Sequence, residues 1–242
     1  MKQALLFLRS LIFYVGYVLV TLIIAPLLLV LFWLFPRSKR HLFGTLWCGI
    51  ILQWSRLVCG IRFQVYGKEN IPDHPVVVLA NHQSEWETVF IYRYLAPVSP
   101  ILKKELLSIP VYGWAMRLIN PIAIDRSRRH NAGRSILDQG RQRLDSGYSV
   151  MIFPEGTRAD DGKVGNFSRG GAKLALATKA AVLPIAHNAG HFWPARRFLK
   201  FPGNIEVHIG SPIQTANREA SELTAEVEAW IRQHVVDNRA ES

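Results

Sequence analysis

From Ser10 to Pro36 the chain runs about 27 residues without a charged side chain, and Leu, Ile, Val and Phe dominate. A helix needs about 20 such residues to cross the hydrocarbon core of a bilayer. The apolar region of a signal peptide is shorter, about 7–15 residues, and is followed by a small-residue cleavage site that this chain lacks. The run therefore predicts a retained membrane anchor. Pro26 removes a backbone donor within it and predicts a kink. A second apolar stretch, Leu42 to Val58, is broken only by Arg56. Between the two lie Arg37, Lys39, Arg40 and His41, whereas Lys2 and Arg9 lie at the other end. That excess of cations favours a cytoplasmic C-terminal flank. The expectation is a helical hairpin or kinked span over residues 1–61. Residues 62–242 then form a cytoplasmic domain at the inner (cytoplasmic) membrane.

With 242 residues, 49% of them hydrophobic and 19% charged, the chain is no disordered polymer and has length for one sizeable core. Its two cysteines, Cys48 and Cys59, exclude a disulfide scaffold, and no metal-ligand spacing appears. A formal net charge of +11 calls for a negatively charged partner. Nucleic acid is disfavoured, because aromatics such as Phe13, Phe32 and Trp33 lie in the apolar run rather than among the arginines.

Beyond Arg62, short apolar runs alternate with helical patterns, as in an α/β domain with a mixed β-sheet flanked by helices. Strands are expected at Arg62–Tyr66, Val76–Ala80, Ile122–Asp125, Ser149–Phe153, Val182–His187 and Ile205–Ile209. Pro184 marks the fifth of these as an edge strand. Helices are expected at about Trp86–Tyr94, Asn131–Asp145, Gly171–Ala180 and Asn217–Val236. In the last, Leu223, Val227, Trp230 and Ile231 share one face.

Two polar blocks follow apolar strands, where α/β folds expose reactive groups. In Asn81-His82-Gln83-Ser84-Glu85-Trp86-Glu87, His82 is the residue type suited to a general base. A carboxylate on its far nitrogen would hold the tautomer. Glu87 reaches it if His82 occupies the turn before the helix, and Glu85 is the weaker candidate. Ser84 lacks the glycine-flanked elbow of a serine nucleophile. In Phe153-Pro154-Glu155-Gly156-Thr157-Arg158, Gly156 permits close backbone approach, Thr157 offers a hydroxyl and Arg158 a fork suited to phosphate. Lys103 and Lys104 are further phosphate candidates. Arg126 opens a basic run with Arg128, Arg129, His130 and Arg134. Such a run is either a solvated face or a dock for anionic headgroups or an acidic carrier protein.

These blocks, in this order from Val76 to Pro184, resemble the glycerolipid acyltransferase family, most closely the bacterial 1-acyl-sn-glycerol-3-phosphate (lysophosphatidic acid) acyltransferases. The Phe-Pro-Glu-Gly-Thr-Arg block is the most specific element. The resemblance implies transfer of an acyl chain from a thioester to the sn-2 hydroxyl of lysophosphatidate, giving phosphatidate in phospholipid biosynthesis. By it, His82 is the base and Glu87 its orienting partner. Glu155, Gly156, Thr157 and Arg158 handle the glycerol phosphate, with Lys103, Lys104 and Arg126 adding positive charge. No cofactor is implied; acyl carrier protein or coenzyme A delivers the thioester. Two positions depart from the family pattern: Glu87 stands where aspartate is commonest, and Ala159 where serine is common. Glutamate at that place also resembles late acyltransferases of lipid A synthesis, which lack the Phe-Pro-Glu-Gly-Thr-Arg block. Other acceptors (a lipid A precursor or a lyso-ornithine lipid) and a non-catalytic lipid-binding role are the alternatives.

Overall fold

The computed structural model describes residues 2–31, 34–36, 39–110, 112–125, 129–159 and 163–235. The chain begins with two helices, α1 (Lys2–Leu31) and α2 (His41–Cys59). Both are long and apolar enough to cross a membrane. They run antiparallel, because Trp54 donates its indole N–H to Phe13 O and Trp47 donates to Thr21 Oγ1, each at 3.1 Å. Pro26 lies inside α1, as the sequence requires.

The remainder is α/β. A mixed seven-stranded sheet has the order β1-β7-β6-β2-β5-β3-β4. Its strands are β1 (Ile61–Tyr66), β2 (Val77–Ala80), β3 (Val98–Lys103), β4 (Ile122–Ile124), β5 (Ser149–Ile152), β6 (Val182–His187) and β7 (Gly203–Ile209). The neighbours from β6 to β4 are parallel, β7 is antiparallel to β6, and β1 is parallel to β7. Helices α3 (Trp86–Leu95), α4 (Tyr112–Arg117), α5 (Arg129–Asp145), α6 (Gly170–Thr178) and α7 (Ala220–His234) complete the fold.

One core packs Phe13, Ile51 and Leu52 of the N-terminal helices with Trp86 and Phe90 of α3 against the sheet. The other packs Leu144, Leu174, Leu223, Val227 and Ile231 of α5, α6 and α7 against its opposite side. The inward stripe expected for α7 is present: Leu223, Val227 and Ile231 are fully buried, and Trp230 packs beside them partly buried.

Element ends differ from expectation by a few residues, with local causes. Lys179 at φ 56° stops α6 early, and Asn217 at φ 57° delays α7. Two elements escape sequence reading. Pro97 and Pro100 disguise β3, whose Pro100 is tolerated because only β5 flanks it there; β4 joins from Ile101 onward. Helix α4 is too short to show a period. The edge-strand reading of Val182–His187 is corrected: β6 lies between β7 and β2 and is buried throughout. Pro184 O accepts from Gly210 N at 2.9 Å, so the missing N–H faces the residue just past the end of β7 and costs the ladder little.

Candidate active site

The parallel arrangement brings the C-terminal ends of β2, β5, β3 and β4 to one edge of the sheet. The polar blocks leave from these ends. Leu79 is level with Ile152, so counting on in register sets His82 beside Glu155.

His82 occupies the turn before α3, and Glu87 lies in the first turn of that helix. Their side chains meet: His82 Nδ1 is 2.7 Å from Glu87 Oε1. The same oxygen accepts the backbone N–H groups of Ser84 at 3.0 Å and Gln83 at 3.2 Å. Glu87 is fully buried. Burial opposes its charge, but the His82 hydrogen bond, the neighbouring His187 and His82 rings and the Ser84 amide together hold its pKa below the usual carboxylate value. A carboxylate accepting from Nδ1–H leaves the lone pair of the neutral ring on Nε2. The His82 side chain keeps 16% exposure on the site side, and its ring stacks on Phe153 at 4.0 Å. The pair thus has the geometry of a general base with an orienting acid.

Glu85 is engaged elsewhere. It pairs with Arg158 Nη1 at 3.0 Å and accepts from Trp193 Nε1 at 3.0 Å. Ser84 Oγ accepts the Trp86 N–H at 3.0 Å, a helix-start role rather than a nucleophile's.

Glu155 turns away from solvent and ties the loops together. Its oxygens accept His82 N–H at 2.8 Å and Gly165 N–H at 2.7 Å. Burial raises its pKa, with the two amides pulling the other way. Its contacts are thus those of a brace for the base, where the sequence reading grouped it with the phosphate ligands. Gly156 has φ 70°, a conformation that requires glycine, and a Cβ there would meet nothing within 4 Å; its need is the turn itself. Thr157 is exposed. Arg158 Nε donates to Ser84 O at 3.1 Å, which sets the guanidinium beside the His82 loop. Lys103 and Lys104 are exposed at the end of β3, next to β5. Arg126 lies outside the described residues.

Residues outside the predicted set hold the base. Asn81 Nδ2 donates to His187 O at 2.9 Å, and Asn81 Oδ1 accepts His187 N–H at 3.0 Å. The His187 ring returns to Asn81 O through Nε2 at 2.8 Å, while its Nδ1 accepts from Ala189 N–H at 3.3 Å. Both residues are buried, and burial lowers the His187 pKa, with the neighbouring Glu87 carboxylate pulling the other way. Gln83 adds bonds to Lys163 O and Gly190 N. A histidine closing an otherwise apolar strand was the available signal for His187.

An apolar cavity of about 210 Å³ has Glu85 and Arg158 as its charged lining residues. Its walls come from α1 (Tyr17, Ile24), α2 (Trp47), α3 (Val89) and the α4 region (Met116, Ile119). An arginine on the wall of an apolar pocket suits a ligand with an anionic head and a greasy chain.

Residues 62–188 match the model of the Acyltransferase family. A 1-acyl-sn-glycerol-3-phosphate acyltransferase of Pseudomonas aeruginosa is 44% identical over 88% of this chain and 82% of its own. A protein of that name from Chlamydomonas reinhardtii is 30% identical over 84% of this chain, which spans only 60% of the algal protein. The crystal structure of the 1-acyl-sn-glycerophosphate (LPA) acyltransferase PlsC from Thermotoga maritima superposes with a TM-score of 0.84 at 28% identity, covering 100% of this chain and 99% of that one. With this family match over the catalytic core and this extent of identity, the chain belongs to the Acyltransferase family.

Proposed function

We propose that the protein acylates the sn-2 hydroxyl of lysophosphatidate with a fatty acyl thioester, giving phosphatidate. The observation that carries this reading is the His82–Glu87 pair, held at 2.7 Å, with Glu85 and Thr88 of the same segment and Arg158 lining an apolar cavity. His82 Nε2 takes the proton of the acceptor hydroxyl while that oxygen attacks the thioester carbonyl carbon. The tetrahedral intermediate collapses, the C–S bond breaks, and the leaving sulfur receives the proton from the imidazolium. Glu87 stabilises that imidazolium throughout. No covalent enzyme intermediate is needed, and the chain's own groups carry both proton transfers.

Arg158 binds the acceptor phosphate, which competes with Glu85 for the guanidinium, and Lys103 and Lys104 add charge at the end of β3. In this reading Thr157 offers its hydroxyl to the same phosphate, and Arg126 is expected to add positive charge. Glu155 and Gly156 act on the phosphate indirectly, by fixing the loop that carries Arg158. The apolar cavity receives an acyl chain.

Helices α1 and α2 bear many exposed large apolar side chains, among them Leu22, Ile23, Val30, Leu46 and Leu57. This supports a membrane anchor over residues 1–61 whose outward apolar faces meet the inner membrane, with residues 62–242 working at the cytoplasmic face, where acyl carrier protein or coenzyme A thioesters are supplied. The basic surface suits either donor.

The test is acyl transfer by the purified full chain in detergent. Lysophosphatidate, glycerol 3-phosphate, a lyso-ornithine lipid and a lipid A precursor are each offered with both thioester donors. Thiol release with phosphatidate formation, greatest with lysophosphatidate, supports the reading. Lipid binding without thiol release, or transfer chiefly to another acceptor, overturns it.

A further inference from the structure

Between β3 and β4 the chain makes a compact corner that the transfer step does not use. Lys104–Ser108 form a 3-10 turn, and α4 follows at Tyr112. Gly113 N–H donates to Ile109 O at 2.7 Å. A Cβ on Gly113 would lie 2.4 Å from Leu107 O, so only glycine lets the chain fold back this closely. Helix α4 packs against α1. One side of this helical region, Ala115, Met116 and Ile119, lines the apolar cavity. The other side is unusual for a water-facing surface: Leu106, Ile109 and Trp114 are 36%, 44% and 50% exposed. Three cations, Lys103, Lys104 and Arg117, and one anion, Glu105, are exposed in the same stretch of chain. Tryptophan among apolar and basic residues is the composition of a bilayer interface, where the ring sits at headgroup depth. Here it adjoins α1, whose outward face is apolar.

We propose that the corner from Lys104 to Arg117 is a third membrane contact, dipping Leu106, Ile109 and Trp114 into an anionic lipid surface and so setting one wall of the acyl cavity against the bilayer. The proposal rests on α1 and α2 being membrane-embedded. Apolar side chains supply the insertion, and Arg117 with the two lysines supplies attraction to anionic headgroups. Chains leaving the bilayer then pass along an element that the bilayer itself holds in place.

The experiment uses the full chain in nanodiscs of phosphatidylcholine mixed with phosphatidylglycerol. An environment-sensitive fluorophore is attached in turn to Trp114→Cys, Leu22→Cys and Ser221→Cys, after Cys48 and Cys59 are changed to serine. Quenchers are lipids spin-labelled at the headgroup or in the acyl chain, and aqueous iodide. The label at position 114 is expected to respond to headgroup-level lipid quencher and be shielded from iodide. At position 22 it should respond to the acyl-chain quencher, and at position 221, on α7 across the sheet, to iodide alone. Iodide quenching at 114 with lipid quenching at 22 overturns the proposal and leaves the embedded helices standing. Loss of lipid quenching at both positions overturns both. Equal shielding at 114 in detergent micelles at high and low protein concentration keeps a second copy of the chain out of the explanation; concentration-dependent shielding overturns the proposal. In parallel, Trp114→Glu should lower kcat/KM at least about fivefold for bilayer-borne lysophosphatidate, since an interfacial aromatic is replaced by an anion. It should leave a short-chain, water-soluble acceptor unaffected. Equal loss on both acceptors overturns the proposal.

Discussion

His82 and Lys103 both stand at C-terminal strand ends of one sheet, with only β5 between their strands. Their surroundings are opposite in kind. Around His82, buried Asn81, His187 and Glu87 Oε1 are bonded to the ring or the backbone, Glu155 braces the loop, and only Glu87 Oε2 of these groups lacks a partner. At the other strand ends, Lys103, Lys104 and Thr157 are exposed to solvent. The difference follows from what each half has to do. Proton transfer fails when donor and acceptor are misplaced by about 1 Å. Attraction between opposite charges falls off gently and tolerates mobile lysines. Arg158 is fastened to the ordered half, with its Nε on Ser84 O and a terminal nitrogen on Glu85, both in the His82 loop.

If this contrast is real, damage to His82 or its supports should appear in kcat and damage to the phosphate-binding cations in KM. The largest effect belongs to His82→Ala, which should lower turnover by at least about 100-fold, the low end for loss of a general base. Single-turnover acyl transfer measures it, and near-normal turnover would remove His82 from the chemistry. Arg158→Ala should raise the KM for lysophosphatidate by about 10–100-fold, as expected for losing charge-assisted hydrogen bonds. The donor's KM should hold; if only the donor's constant moves, Arg158 serves the other substrate.

Asn81→Ala sharpens the comparison by a different route. It strips partners from the buried amide and carbonyl of His187, each costing about 1–3 kcal/mol when left unpaired. Thermal unfolding in detergent should register the loss together with a fall in kcat. Unchanged stability would mean the bonds are dispensable. Lys103→Ala should raise the acceptor KM only about two- to fivefold, because an exposed charge contributes little. That effect should shrink in high salt, and a salt-independent change would contradict the loose-grip reading.

The smallest effect concerns pH. Lys200 is buried, and burial lowers its pKa to about 8. The unfolded chain keeps that proton to about pH 10, so between about 8 and 10 the unfolded state binds more protons and stability must rise with pH. Relative to Lys200→Met, the wild-type melting temperature should gain a few degrees (~2–4 °C) across that window. A fall would reverse the assignment.

What the sequence disclosed divides along the same line. The His82–Glu87 pair was legible because a strand end and an acid five residues on are local facts. The contacts of Glu155 were not legible, because a motif states residue type and not direction: the Phe-Pro-Glu-Gly-Thr-Arg block cannot tell that its acid accepts two backbone amides. The Asn81–His187 clamp joins residues 106 positions apart, and no local period records such a bond. Strand β3 was hidden by prolines whose tolerance depends on which neighbour pairs where. Most strands and helices were found because their apolar spacing is itself the pattern that packing demands.

The seating of α1 has a practical corollary. Phe13 is wholly enclosed, edge-on to Trp193 at 4.8 Å, and Ser10 Oγ receives the Lys200 N–H at 2.9 Å. Cutting the chain at residue 61 to obtain a water-soluble fragment would leave a hole in the interior and unpin the loop that carries Trp193. A soluble version is better sought by recolouring the outward rim, replacing Leu22, Ile23 and Val30 (58%, 67% and 71% exposed) with polar residues while Ser10 and Phe13 stay in place.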